Sequence, residues 1–147
     1  MHDQHPQEIN RQHSIMTSLQ TILLAEDDPH DVELTLEALA TNNIANEVVR
    51  VKNGVEAMDF MKRRNQYSDR PEGNPAVVLL DLKMPKMNGI EVLEEIRADA
   101  SLRMTPVVML TSSREESDLV KSYELGVNAY VVKPVDFQQF VEAVKQI

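Results

Sequence analysis

Cysteine is absent from the chain, which rules out disulfides and zinc-thiolate centres and fits a reducing compartment. Long apolar runs are absent too. None reaches the roughly 18 residues that a membrane-spanning helix needs. The opening stretch MHDQHPQEINRQHSIMTSLQ has neither the positively charged nor the apolar region of a signal peptide. A cytoplasmic protein with no membrane partner is expected. Positive charge is scarce, with 15 Lys and Arg against 24 Asp and Glu for a formal net charge of -9. Affinity for DNA rests largely on neutralising phosphates with cations, so nucleic acid is not expected as a direct partner. The same acidity suits a cation site. No internal repeat is present.

What remains is ordinary globular composition, 42% hydrophobic and 27% charged over 147 residues, enough for one domain with a sizeable core. Residues 1–20 form a polar head, expected to be disordered, whose His2, His5 and His13 stand among Gln and Pro and are not expected to clip a metal. From residue 21 to 147 apolar segments alternate with amphipathic ones. Strands are predicted at 21–25, 46–51, 76–81, 106–111 and 129–133. Asp28 and Pro29 open a helix with Val32, Leu36 and Leu39 on one face. A second helix over 54–64 turns Val55, Met58 and Met61 or Phe60 inward, and a third over 90–99 does the same with Ile90, Leu93 and Ile96. Ser113 and Glu116 read as a capping box for a helix through Leu125, stopped by Gly126. Asp136 and Gln139 cap a last helix bearing Phe137, Phe140, Val141 and Val144. His30 is expected to be exposed, and the methionines to fill core and turns. The polar stretch NQYSDRPEGNP at 65–75 is longer than most helix-to-strand connections. A solvated loop and a partner contact both remain open for it.

Five such units predict an α/β doubly wound sandwich; the pattern alone does not give the strand order, but it fits a flavodoxin-like (βα)5 fold around a parallel five-stranded sheet of order 2-1-3-4-5. Ligands of such sheets bind beyond the carboxyl ends of the strands. There the first strand ends in AEDD, the third in Asp81, the fourth in LTSS and the fifth in VKP. In that strand order Glu26, Asp27, Asp81, Thr111 and Lys133 converge on one pocket. Carboxylates crowded into a partly buried site invite a hard divalent cation with oxygen ligands, Mg²⁺ first among them. Thr111 offers a hydroxyl and Lys133 a positive charge, both suited to phosphoryl oxygens. An aspartate so equipped is a phosphoryl acceptor. Without metal the three carboxylates repel, so removing Asp27 is expected to stabilise the fold.

LLAEDD, LLDLKMPKMNG, MLTSS and YVVKP, in this order and spacing, resemble the receiver domain of two-component response regulators across residues 21–147. The resemblance implies that Asp81 is the phosphoacceptor and that Glu26 and Asp27 are the acidic pair holding Mg²⁺ together with Asp81 and the Lys83 backbone carbonyl. It further implies that Thr111 is the switch hydroxyl, Lys133 the family's lysine and Tyr130 the switch aromatic. Lys83 and Ser113 take the places that tune the lifetime of the phosphorylated state. The Lys133–Pro134 peptide is cis in that family. The expected partners are a sensor histidine kinase or histidine phosphotransfer protein and a downstream protein target, with a homodimer left open. The chain is expected not to be an enzyme beyond handling its own phosphate. The helix after Asp28, the 65–75 loop and the last strand are similar to small stand-alone regulators that partner phytochrome-type and other hybrid kinases. A receiver belonging to a longer regulator or kinase is the alternative. Two other classes fit worse. A haloacid-dehalogenase-type phosphatase needs a second Asp two residues after the nucleophile, where Lys83 stands. A flavin or nucleotide module needs a Ser/Thr-rich phosphate loop, where EDDPHD would repel phosphate.

Overall fold

The computed structural model describes residues 20–41, 44, 46–113, 121 and 124–145. Strands Ile22–Ala25 (β1), Val48–Val51 (β2), Val77–Asp81 (β3), Val107–Thr111 (β4) and Ala129–Val132 (β5) form one sheet of order β2-β1-β3-β4-β5. Every neighbouring pair is parallel. The doubly wound fold and its strand order are as expected from the sequence. Helices Pro29–Thr41 (α1), Gly54–Met61 (α2), Gly89–Ala98 (α3) and Phe137–Val144 (α4) cover the sheet. Glu116 of the expected capping box and most of the helix expected through Leu125 lie outside the described residues, as do His2, His5 and His13.

Because successive strand residues point to opposite faces, each central strand feeds two separate cores. Leu23, Ala25, Val78, Leu80, Val107 and Met109 pack with Ala57, Met58, Phe60 and Met61 of α2 and Ile90, Leu93 and Ile96 of α3. Ile22, Leu24, Val77, Leu79, Val108 and Leu110 pack with Val32 and Leu39 of α1 and Phe140 and Ala143 of α4. Local signals start the helices. Asn53 Oδ1 accepts from the Glu56 amide at 2.9 Å, and Asn88 with Glu91 forms a full capping box. Asp136 Oδ1 accepts from the Gln139 amide at 2.9 Å, as expected.

Two inward assignments are corrected. Leu36 is 38% exposed, because the buried stripe of α1 runs through Val32, Thr35 and Leu39 and leaves Leu36 at its edge. Val55 is 43% exposed. Gly54, Ala57, Met58 and Met61 form the i, i+3, i+4, i+7 stripe instead, with Gly54 pressed against the Met87 carbonyl. The methionines divide between core and turns as expected: Met58, Met61 and Met109 are buried, and Met104 is a turn residue 84% exposed. The 65–75 stretch holds a short 3-10 turn, Asn65–Tyr67, and is tied down by Arg70. The guanidinium of Arg70 lies 4.3 Å over the Phe60 ring, and its Nε donates to Phe60 O at 2.7 Å.

Gly89 supports the site from behind. A Cβ there would overlap the Asp81 carbonyl oxygen and stand 3.0 Å from Leu82 Cα, both main-chain atoms that cannot swing aside. Gly89→Ala is therefore expected to cost about 1–3 kcal/mol. Urea denaturation reads this directly, and an unchanged midpoint would mean that the end of β3 yields freely.

Candidate functional site

Strand parity decides which side chains meet at the carboxyl edge. Glu26 continues the side of Ile22 and Leu24, and Asp81 continues that of Val77 and Leu79, so both face the layer of α1 and α4. Both are nearly sealed, at 0% and 4% exposure, whereas the intervening Asp27 is exposed. Arg50 of β2 holds this corner by its main chain, donating from Nε to Glu26 O at 2.9 Å and from Nη2 to Asp27 O at 3.2 Å. The carboxylate oxygens of Glu26, Asp27 and Asp81 come within 4.8 Å of one another.

Lys133 follows β5 and precedes a cis peptide to Pro134. Its Nζ lies 3.2 Å from Asp81 Oδ1, 3.3 Å from Glu26 Oε1 and 3.0 Å from Asp31 Oδ2. A cleft of about 170 Å³ opens over these groups, and its lining includes Lys83 and Ser112.

The electrostatics follow from burial. Loss of solvent and then the neighbouring Asp81 charge push the Glu26 carboxyl up to about 7, against the pull of Lys133 and of the Asp28 amide, which donates to Oε2 at 3.2 Å. Burial also raises Asp81, while Lys133 restrains the rise. Burial opposes the charge of Lys133, but its hydrogen bond to Asp31 and the Asp81 and Glu26 charges outweigh that and hold the ammonium protonated. Among the described residues one cation therefore serves three carboxylates, with Asp27 beside them. The donor set is all oxygen and carries excess negative charge, which fits a hard divalent cation.

Glu26, Asp27, Asp81 and Lys133 thus meet as expected, and Lys83 lines the same cleft. Thr111 stands apart in this conformation. It shares the parity of Val107 and Met109, is fully buried, and its Oγ1 donates to Ser113 O at 2.9 Å while accepting from the Ser113 amide at 3.2 Å. Tyr130 is half-buried against the α2–α3 core, and Ser113 is half-buried. Three residues of the site escape a sequence reading. Asp31 lies in the first turn of α1, where an acidic residue reads as a helix-start charge. Arg50 sits mid-strand and acts through main-chain acceptors. Ser112 lines the cleft beside the better-marked Thr111.

The described residues contain no helix long and apolar enough to cross a membrane. Comparison with known proteins places the chain. The family model for the response regulator receiver domain matches residues 22–145. The chain is 40% identical over 126 residues to the response regulator Rcp1 of Synechocystis sp., covering 86% of this chain and 84% of that protein. A structure of Rcp1 in its Mn²⁺-bound form superposes with a TM-score of 0.72 at 39% identity, over 86% of this chain and 89% of that one. The bacteriophytochrome response regulator RtBRR superposes with a TM-score of 0.82 at 60% identity, over 87% of this chain and 77% of that one. For AtBRR, also a bacteriophytochrome response regulator, the TM-score is 0.83 at 58% identity, over 88% of this chain and 92% of that one. The chain belongs to the response regulator receiver domain family.

Proposed function

We propose that this receiver takes a phosphoryl group onto Asp81 from a phosphohistidine of a sensor histidine kinase or histidine phosphotransfer protein. One observation carries the reading: a nearly buried aspartate at a strand's carboxyl end has an ammonium 3.2 Å from one oxygen, within a cluster of further carboxylates. One Oδ of Asp81 donates an electron pair to phosphorus, the nitrogen–phosphorus bond breaks, and the imidazole leaves with that bonding pair. Lys133 then moves its hydrogen bond from the carboxylate to a phosphoryl oxygen. Glu26, Asp27, Asp81 and the Lys83 carbonyl would hold Mg²⁺, which when bound offsets the negative charge brought together by carboxylates and phosphoryl group. Mn²⁺ in the Rcp1 structure supports a divalent cation of this kind.

Thr111 serves as the switch in this proposal. Its hydroxyl is committed to the Ser113 main chain, so engaging the phosphoryl group means giving up that arrangement. Two alternative partnerships make two states, and phosphorylation shifts the balance between them. Tyr130 would follow, remodelling the surface around β5 and α4 that contacts a downstream protein. The chain so read turns over only its own acyl phosphate. The likeness to bacteriophytochrome regulators supports a phytochrome-type kinase as donor, which phosphotransfer profiling would identify.

Borohydride reduction after reaction with acetyl phosphate and Mg²⁺ converts an aspartyl phosphate to homoserine, and peptide mass spectrometry should place it at position 81. Homoserine elsewhere would overturn the assignment. Lys83 and Ser113 are proposed to flank the path of the hydrolytic water. Lys83→Ala is expected to change the dephosphorylation rate severalfold while leaving phosphorylation nearly unchanged. Equal effects on both rates would remove that role.

A further inference from the structure

The shortest contact of the Lys133 ammonium is with Asp31, a residue to which neither the acidic triad nor the phosphoryl chemistry assigns a part. We propose that Asp31 is a positioning residue that keeps Lys133 in place while Asp81 changes from a carboxylate to an acyl phosphate; this rests on the phosphoacceptor reading of Asp81.

An ammonium has three N–H donors and no acceptor. Here three carboxylates surround it: Asp31 Oδ2 at 3.0 Å, Asp81 Oδ1 at 3.2 Å and Glu26 Oε1 at 3.3 Å. Two of these are drawn into the reaction: Asp81 loses its carboxylate charge to the new oxygen–phosphorus bond, and Glu26 is shared with the Mg²⁺ that it would hold. Of the three, Asp31 is the one committed to the ammonium alone.

It is also well placed to do so. Asp31 lies in the first turn of α1, and Asp28 Oδ1 fixes the entry of that helix by accepting from the His30 amide at 2.8 Å and the Asp31 amide at 3.5 Å. A flexible four-carbon stem would otherwise let Nζ wander, and the Lys133 side chain is 16% exposed, so a route to solvent exists. Asp31 holds the ammonium from a rigid element while the Asp81 side of the contact is rewritten.

The test compares Asp31→Ala and Asp31→Asn with the wild-type chain at saturating Mg²⁺, so that a change in cation affinity does not enter. Phosphorylation by acetyl phosphate should slow about tenfold in the Ala variant, the size expected for losing a charge-assisted hydrogen bond. The Asn variant retains a neutral acceptor and should recover part of the rate. Nitrogen-15 NMR of labelled lysine should show a slowly exchanging Lys133 ammonium signal in the wild type that is lost in Asp31→Ala and partly regained in Asp31→Asn. A purely structural role would lower the melting temperature without this graded pattern. Wild-type rates in both variants, or an unchanged ammonium signal in Asp31→Ala, overturn the inference. Homoserine at a position other than 81 in the borohydride experiment overturns the phosphoacceptor reading instead.

Discussion

Asp81→Asn is expected to remain folded and to lose phosphoryl incorporation by at least about a thousandfold, the scale seen when a nucleophile that works with its neighbours is removed. An amide at this position still fills the space but has no carboxylate electron pair to offer phosphorus. Glu26 cannot readily replace it. That carboxyl is fully buried, and its two oxygens are occupied by Lys133 Nζ and the Asp28 amide. Asp27 is exposed and lies beyond the end of β1, away from the Lys133 ammonium that Asp81 and Glu26 share. Labelling with acetyl phosphate, scored as acid-stable and hydroxylamine-labile product, checks the result. Incorporation at the wild-type rate would move the phosphoacceptor elsewhere.

The second large effect is on stability. Glu26→Gln should make the metal-free protein more stable at neutral pH, by on the order of 2–3 kcal/mol, because burial and the Asp81 charge hold the Glu26 carboxyl near 7 rather than its usual 4.5. A carboxyl with a raised folded pKa takes up a proton on folding. Its proton-linked stabilisation is complete below the unfolded value near 4.5 and is lost as pH rises through about 7. Asp81 shifts in the same direction and adds to the slope. Lys133 stays charged throughout this window and adds none. Melts in EDTA between pH 5 and 8 should therefore fall with rising pH in the wild type and flatten in Glu26→Gln. Mg²⁺ at ~10 mM should restore the wild type at the upper end by mass action, and restore the variant less. A wild-type melting temperature that rises across this window would contradict the assignment. The repulsion thus centres on Glu26 and Asp81. The expected gain from removing Asp27 becomes the smaller one, because solvent already screens that exposed carboxylate.

How far the sequence alone reached depended on whether a signal is local in the chain. Asp81 announces itself because one carboxylate ends a five-residue apolar run, and Lys133 because it stands between a strand and a proline. Strand order could not be read from the alternation alone; five units only fit the flavodoxin-like order, and the sheet has it. Helix faces were less legible. Val55 falls on an inward period, yet the close approach of Gly54 to Met87 rotates the stripe away from it. Asp31 is the clearest omission. Five residues past Glu26 it looks like any acidic residue in a first turn, and its pairing with Lys133 spans 102 positions. The orientation of Thr111 depends on where β4 ends relative to its parity, a matter of a single residue that periodicity does not settle.

That two-residue alternation makes the sheet a partition with phase. Asp81 lies on the α1–α4 side and Thr111 on the parity of the other core. An insertion of one residue within β3 would carry the carboxylate through the sheet to the wrong compartment, while two residues would return it. The 65–75 segment carries no such phase, since it lies outside the ladder, between α2 and β3. Length variation among chains of this design should accordingly be free in that loop and nearly forbidden a few residues later, a pattern of tolerated and forbidden indels that a deletion scan would reveal without any assay of phosphate.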